Sequence, residues 1–296
     1  VHEIELQSFD EKCVSALKQL QAKLDFGLWM VTKVDGDDWI VLKAVDRDYG
    51  VQDGDVFVWM ESFCCSMVQG LGPTFAPNSE NVPAYAQAKI GQKVPIQAYM
   101  GFPLRDAQGE LIGTLCAINP TTVPESWAEH EQFANDIAEK LSHDYQKEYD
   151  HAILSLDESI SYSSAESDVT LHTPCHWNDV MEAHRQQSTQ KDVSMSVLTV
   201  KVDVRYIDQS NLTNSLHKTL GRSNFLSYQG NGIYAALLMN CNAPKLDAYI
   251  KLTNICLTKF GVTHKIGSCV CSPTKGITEA YEFALSRVDS NNSSAA

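Results

Sequence analysis

Long apolar runs are missing from this sequence: nowhere do its 296 residues reach the roughly 18 consecutive apolar positions that a membrane-spanning helix needs. There is no CxxC zinc half-site, no HExxH and no complete glycine-rich phosphate loop, which removes the common zinc-site, metalloprotease and P-loop chemistries. Basic residues are scarce, with 23 Lys and Arg against 37 Asp and Glu, for a formal net charge of -14. That balance disfavours a nucleic-acid or anionic-membrane surface and suits a small-ligand or protein partner. The opening VHEIELQSFDEKC carries acids and no apolar stretch, unlike a secretory signal, so a cytoplasmic protein with no membrane attachment is expected. The nine cysteines form no regular ladder; Cys64 and Cys65 are adjacent, and Cys269 and Cys271 alternate in an apolar stretch. Reduced, buried thiols are the plain expectation, with no metal site. His172 and His176 stand four apart beside Cys175, but the intervening Pro174 argues for a loop rather than half a metal site.

What is present divides in two. The length is about twice that of an ordinary domain, and the Ser- and acid-rich run SLDESISYSSAESDVT marks a change of composition. The expected division is a first domain over 1–150, a linker over 151–168, a second domain over 169–290 and a disordered tail over 291–296. In the first part, Cys13, Leu17, Leu20 and Leu24 fall at helical spacing, and FGLWMVTKV–DGDD–WIVLKAV reads as a hairpin. Residues 71–92 read as a Gly/Pro-rich loop with short helical turns, suited to a pocket rim, and residues 124–149 as a helix. Beyond the linker the order is α-β-α-β-β-α-β-α, an antiparallel-containing sheet with helices on one face.

The run QAYMGFPLRDAQGELIGTLCAINP, residues 97–120, carries Tyr99, Gly101, Pro103-Leu104, a turn at Gly109, and Gly113-Thr114-Leu115-Cys116. This pattern resembles the C-terminal hairpin of GAF domains attached to bacterial signalling proteins, and the likeness extends over about residues 8–148. Such domains bind small molecules, hold chromophores or dimerise, so the resemblance implies a pocket without naming its ligand. Trp29, Trp39, Trp59, Phe75 and Tyr99 lie near the predicted strands or the long loop and can form an aromatic pocket wall or the core itself. Cys64 or Cys65 could meet an electrophile or an oxidant. Bilin-binding GAF domains usually have their attachment Cys directly before a His; Cys175-His176 lies beyond this domain, so a bilin is not expected. No haem or iron-cluster ligand set stands out, and no cofactor is expected.

The second part, with LTVKVDV, FLSYQGNGIYAALLM, VTHKIGSCV and ITEAYEFALSRV, resembles a divergent GGDEF domain, the diguanylate cyclase fold. On that resemblance the signature turn falls on Gln229, Gly230, Asn231, Gly232 and Ile233. Asn231 then stands at the Asp position and Gly232 at that of the metal-binding Glu, leaving Asp203 as a single carboxylate. One carboxylate holds two magnesium ions beside a triphosphate poorly. The stretch between Asp203 and the turn is also shorter than in active members. The fold class is thus α+β with two domains, a GAF-like antiparallel sheet with helices and then a divergent GGDEF-like (ferredoxin/cyclase-like) sheet with helices. The expected function is non-enzymatic signalling or regulation through small-molecule sensing and protein interaction, by a homodimer with no catalytic residues. The alternatives are a non-catalytic cyclic di-GMP or GTP binding module, residual diguanylate cyclase activity, and redox chemistry at Cys64/Cys65.

Overall fold

The computed structural model describes residues 7–162, 174–190, 193–203, 209–220 and 224–289. It separates into two compact units, Val1–Lys147 and Glu148–Ala296. Each is an α+β domain with its own sheet.

The first unit opens with helix α1 (Phe9–Lys23), which Ser8 and Glu11 start through a reciprocal capping box. Its buried residues Phe9, Cys13, Ala16, Leu17 and Leu20 recur every three or four positions and make one apolar stripe. Six antiparallel strands follow: β1 (Leu28–Asp35), β2 (Asp38–Asp46), β3 (Val56–Val58), β4 (Phe75–Ala76), β5 (Ala98–Arg105) and β6 (Leu111–Asn119). Their spatial order is β3-β2-β1-β6-β5-β4, which places β1 and β6 at the centre. Between β3 and β5 lie the short helices α2 (Phe63–Val68), α3 (Pro83–Ala86) and α4 (Lys89–Lys93), where the sequence suggested loop with helical turns.

Strand side chains alternate between faces, and the two faces of this sheet have different coverings. On one, Phe9 of α1 meets Tyr145 edge-on at 5.1 Å and Lys12 pairs with Asp144 at 2.7 Å. Those partners belong to α5 (Glu131–Tyr162), which therefore packs beside α1. The other face carries Leu28, Met30, Trp39, Tyr99, Cys116 and Ile118 under α2 and the loop segments. Helix α5 runs 13 residues past the end at 149 expected from its apolar spacing, into the Ser-rich run assigned to the linker. The extension contains no Pro, and Ile153, Leu156 and Ile160 fall at helical spacing, a signal interrupted by the serines and acids among them.

In the second unit the elements are α6 (Pro174–His184), β7 (Met195–Val202), α7 (Gln209–Leu220), β8 (Phe225–Gly230), β9 (Ile233–Met239), α8 (Ala243–Lys259), β10 (His264–Val270) and α9 (Ile277–Asp289). The element order agrees with the sequence reading. All strand pairs are antiparallel, in the order β10-β7-β9-β8. From β7 to β10 this is the β-α-β-β-α-β arrangement of ferredoxin-like sheets.

The expectation of helices on a single face needs correction. Leu198, Val200 and Val202 pack with Leu212, Leu216 and Leu220 of α7 and Leu246 and Leu257 of α8. Met195 and Val197, on the opposite face, pack with Trp177 and Val180 of α6 and Ile277, Ala280 and Ala284 of α9. A strand covered on both sides carries a continuous apolar run instead of an alternating one, and β7 is buried at seven of its eight positions. Pro174 begins α6 and does not sit in a loop, because a helix's first turn needs no amide hydrogen from it. His172, the Ser-rich segment beyond Tyr162 and the expected tail at 291–296 lie outside the described residues, as do the side chains of Cys175 and His176.

Helix α9 rests on the backbone at Gly267, where a β-carbon would lie 2.0 Å from the Ala284 carbonyl oxygen and 2.9 Å from Thr199 Oγ1. Gly267→Ala should therefore force α9 off the sheet. We expect a loss of about 2–3 kcal/mol and a midpoint lowered by roughly 5–10 °C, read by thermal unfolding.

Candidate functional site

The apolar face of the first sheet encloses a cavity of about 260 Å³. Its floor is set by strand register: Leu28 opposes Ile118, Met30 opposes Cys116, and Gly101 opposes Cys116 from the other side. Phe63 and Cys64 of α2 form one wall, Ile90 and Val94 another, and Tyr49 and Lys93 stand among the lining residues nearer the surface. The loop after β2 is held by Asp46, whose carboxylate accepts from the amides of Asp48, Tyr49 and Val51. That places the Tyr49 hydroxyl to donate to the Pro95 carbonyl at 2.9 Å, tying the loop to the segment after α4.

A chain of polar groups is set into this hydrocarbon face. The Trp39 indole N–H donates to Thr32 Oγ1 at 2.8 Å, Thr32 and Thr114 share a hydroxyl contact at 2.8 Å, and Thr114 Oγ1 donates to Cys116 Sγ at 3.9 Å. Tyr99 donates its hydroxyl to Cys64 Sγ at 3.4 Å. The Tyr99 ring can lie along its strand because position 101 is glycine; a β-carbon there would stand 2.0 Å from the Tyr99 hydroxyl oxygen. Tyr85 and Phe63 fix the ring further, with centroids 5.0 and 5.7 Å away.

Cys64 and Cys116 both line the cavity, and their thiols are shifted in opposite directions. Burial pushes Cys64 up, but hydrogen bonds from Cys116, Thr114 and Tyr99 outweigh it and hold Cys64 below the ordinary thiol range. Cys116 is held well above that range, first by burial and then by its contact with Cys64. Of the pair, Cys64 therefore loses its proton first. Burial, followed by the proximity of Cys64 and Cys116, also keeps the Tyr99 phenol well above its usual range, so it remains a donor.

Of the seven residues proposed from sequence, Trp39, Cys64 and Tyr99 line this cavity. Trp29 stands on the opposite face, one position out of phase with Leu28 and Met30, where its indole donates to the Leu24 carbonyl and meets Phe26 edge-on. Trp59 packs behind Trp39 at 6.4 Å, and Phe75 is buried on the short edge strand β4. Cys65 lies between Met60 Sδ at 3.8 Å and the Gln69 side-chain amide at 3.3 Å. Adjacent helical residues point about 100° apart, so Cys64 and Cys65 do not share the cavity wall. Cys116, which lines the cavity, was missed as a site residue, as were Thr32 and Thr114, which bond next to it in the sheet without lining the cavity. The alternation of Thr114, Cys116 and Ile118 along β6 carried the signal, but only the register with β1 and β5 reveals which face holds the cavity.

In the second unit, Gly230, Asn231 and Gly232 have φ of 91°, 51° and 78° and turn β8 into β9. Gln229 falls at a bulge in that pairing and donates to Ser227 Oγ at 2.9 Å, while the Gly232 amide donates to the Tyr228 hydroxyl at 3.2 Å. Asp203 follows the last residue of β7, whose Val202 amide bonds the Gly232 carbonyl, so Asp203 and the turn share one end of the sheet. Among the described residues, no group of three or more His, Cys, Asp or Glu is arranged to hold a metal ion.

The family comparison decides the identity of the first unit: residues 28–143 match the GAF domain model. They form a GAF domain. Solved structures with similarity to the chain include the blue-light absorbing form of the PixJ GAF domain from Thermosynechococcus elongatus, at 12% identity and TM-score 0.42, over 53% of this chain and 98% of that one. The chromophore-binding domain of the bacteriophytochrome RpBphP3 from R. palustris is similar at 16% identity and TM-score 0.39. That match covers 48% of this chain and a little over half, 57%, of the other. A DGC protein from Thermotoga maritima is similar at 8% identity and TM-score 0.33, over 39% of this chain and 96% of that one. No curated protein matches the chain. Among the described residues, no helix is long and apolar enough to cross a membrane.

Gly101→Ala should displace the Tyr99 hydroxyl from Cys64 and remove one of the bonds that lower its pKa. The midpoint of Cys64 alkylation by iodoacetamide against pH is expected to rise, and to rise likewise in Tyr99→Phe; peptide mass spectrometry at Cys64 reads both.

Proposed function

We propose that this chain is a non-enzymatic signalling or regulatory protein whose GAF domain takes up a small, largely apolar molecule. The observation that carries this reading is the cavity: hydrocarbon walls, a few converging polar groups, and a volume of about 260 Å³. That lies just below the span of roughly 300–1,000 Å³ common for ligand sites and has their usual composition. The second domain, taken as a degenerate GGDEF-like module over 169–290 with 151–168 as its linker, would contribute a protein-binding surface. The acid-poor turn Gln229–Gly230–Asn231–Gly232 beside Asp203 favours lost phosphoryl chemistry over a working cyclase. A homodimer in the cytoplasm completes the proposal.

Native mass spectrometry of gently purified protein, compared with its denatured mass, tests the cavity. A retained adduct is expected, or one-to-one uptake of cumyl alcohol if the protein arrives empty, and either should be lost in Val94→Trp, whose indole fills the cavity from its rim. Neither adduct nor uptake would end the ligand-binding reading. The native chain is expected to leave GTP intact in the presence of magnesium; measurable turnover would overturn the non-enzymatic reading.

A further inference from the structure

Cys64 of α2 and Cys116 of β6 line the same end of the GAF cavity, and each sulfur shifts the ionisation of the other. The neighbouring donor is the Tyr99 hydroxyl, 3.4 Å from Cys64 Sγ. Around them the lining is hydrocarbon, including Leu28, Met30, Ile90 and Ile118. An oxidisable sulfur, a second thiol to resolve it and a fixed hydroxyl donor thus face an apolar chamber. We infer that Cys64 and Cys116 form a dithiol site that reduces an alkyl or aryl-alkyl hydroperoxide held in the cavity and closes into a disulfide. This rests on the reading above that the cavity admits a small apolar molecule.

The reaction balances without a further reagent. Cys64, as thiolate, attacks the terminal oxygen of R–O–O–H; the O–O bond breaks, and the departing alkoxide is stabilised by the Tyr99 hydroxyl and leaves as the alcohol once protonated. The proton given up when Cys64 ionised balances that protonation, and Cys64 becomes the sulfenic acid. Cys116 then attacks the Cys64 sulfur, the S–O bond breaks, and the hydroxyl leaves with the Cys116 proton as water. Two thiols lose two electrons and two protons in all, and the hydroperoxide becomes one alcohol and one water. The order is built into the pair. Cys64 ionises first, and its conversion to a neutral sulfenic acid removes the charge that helped keep Cys116 protonated. Cys65 takes no part, because its sulfur sits with Met60 and Gln69.

The full chain treated with one equivalent of cumene hydroperoxide should lose two hydrogens in mass, and peptide mapping should place the disulfide at Cys64–Cys116. Burial of the cumyl group should make this about tenfold or more faster than with hydrogen peroxide, and Val94→Trp should abolish the difference. Cys116→Ser should stop at a Cys64 sulfenic acid that dimedone traps, while Cys65→Ser should behave as the parent. Tyr99→Phe should slow the reaction while leaving the disulfide position unchanged. Wild-type mapping needs no variant to fold, so the proposal stands or falls on it. A disulfide at Cys64–Cys65, or no oxidation in a protein that still takes up cumyl alcohol, would overturn this inference and leave the ligand-binding reading intact. Absence of both oxidation and cumyl alcohol uptake would remove the two together.

Discussion

Gly113 leaves room for the two central strands of the GAF domain to meet. A β-carbon at this position would lie 1.8 Å from the Thr32 carbonyl oxygen, so β6 can approach β1 this closely only with glycine there. The close approach fixes a register in which Thr32 faces Thr114 and Met30 faces Cys116. Because strand side chains alternate, a slip of one residue would exchange the two faces. The cavity would then receive Leu115 and Ala117, while Thr114 and Cys116 would be pressed against the opposite layer. Register thus decides both where the core lies and whether a polar floor exists at all.

That floor is costly unless complete, since a buried hydroxyl or indole N–H without a partner loses about 1–3 kcal/mol. Here the donors follow one another from Trp39 through Thr32 and Thr114 to Cys116, and Tyr99 closes on Cys64 from the other side. Sulfur is a weak acceptor, so the chain ends on its softest members. The consequence is chemical as well as structural: the donors that satisfy the network also favour the thiolate of Cys64. Cys65, one residue away, receives no such set of donors, and burial followed by its proximity to Cys64 raises its pKa.

The second domain shows a different use of the same sheet physics. Its strand β7 is clothed on both faces by helices, α7 and α8 on one side and α6 and α9 on the other. The glycine at 267 permits α9 to sit close to the sheet. At the end of that sheet the turn Gly230–Asn231–Gly232 keeps three successive positive φ angles, a conformation that asparagine and glycine tolerate and that most other side chains resist.

Several features were written locally in the sequence. The stripe of α1, the β1–β2 and β5–β6 hairpins, the element order of the second domain and the tight turn at 230–232 all arise from residues close together in the chain. Their periodicity and turn chemistry speak without tertiary contacts. The extension of α5 was passed over because the Ser- and acid-rich composition of the run outweighed the helical spacing of Ile153, Leu156 and Ile160. What sequence could not decide is which face a residue joins. Trp29 and Trp39 are both aromatic strand residues, yet one supports the helical layer and the other the cavity. Cys64 and Cys65 are neighbours in sequence, but Cys64 shares the cavity lining with Cys116, on a strand far along the chain. Residue type and spacing determine that a sheet and a helix will form; only the packing of helix on sheet brings those two sulfurs together, because that distance is set by strand register and by the space left at two glycines, 101 and 113.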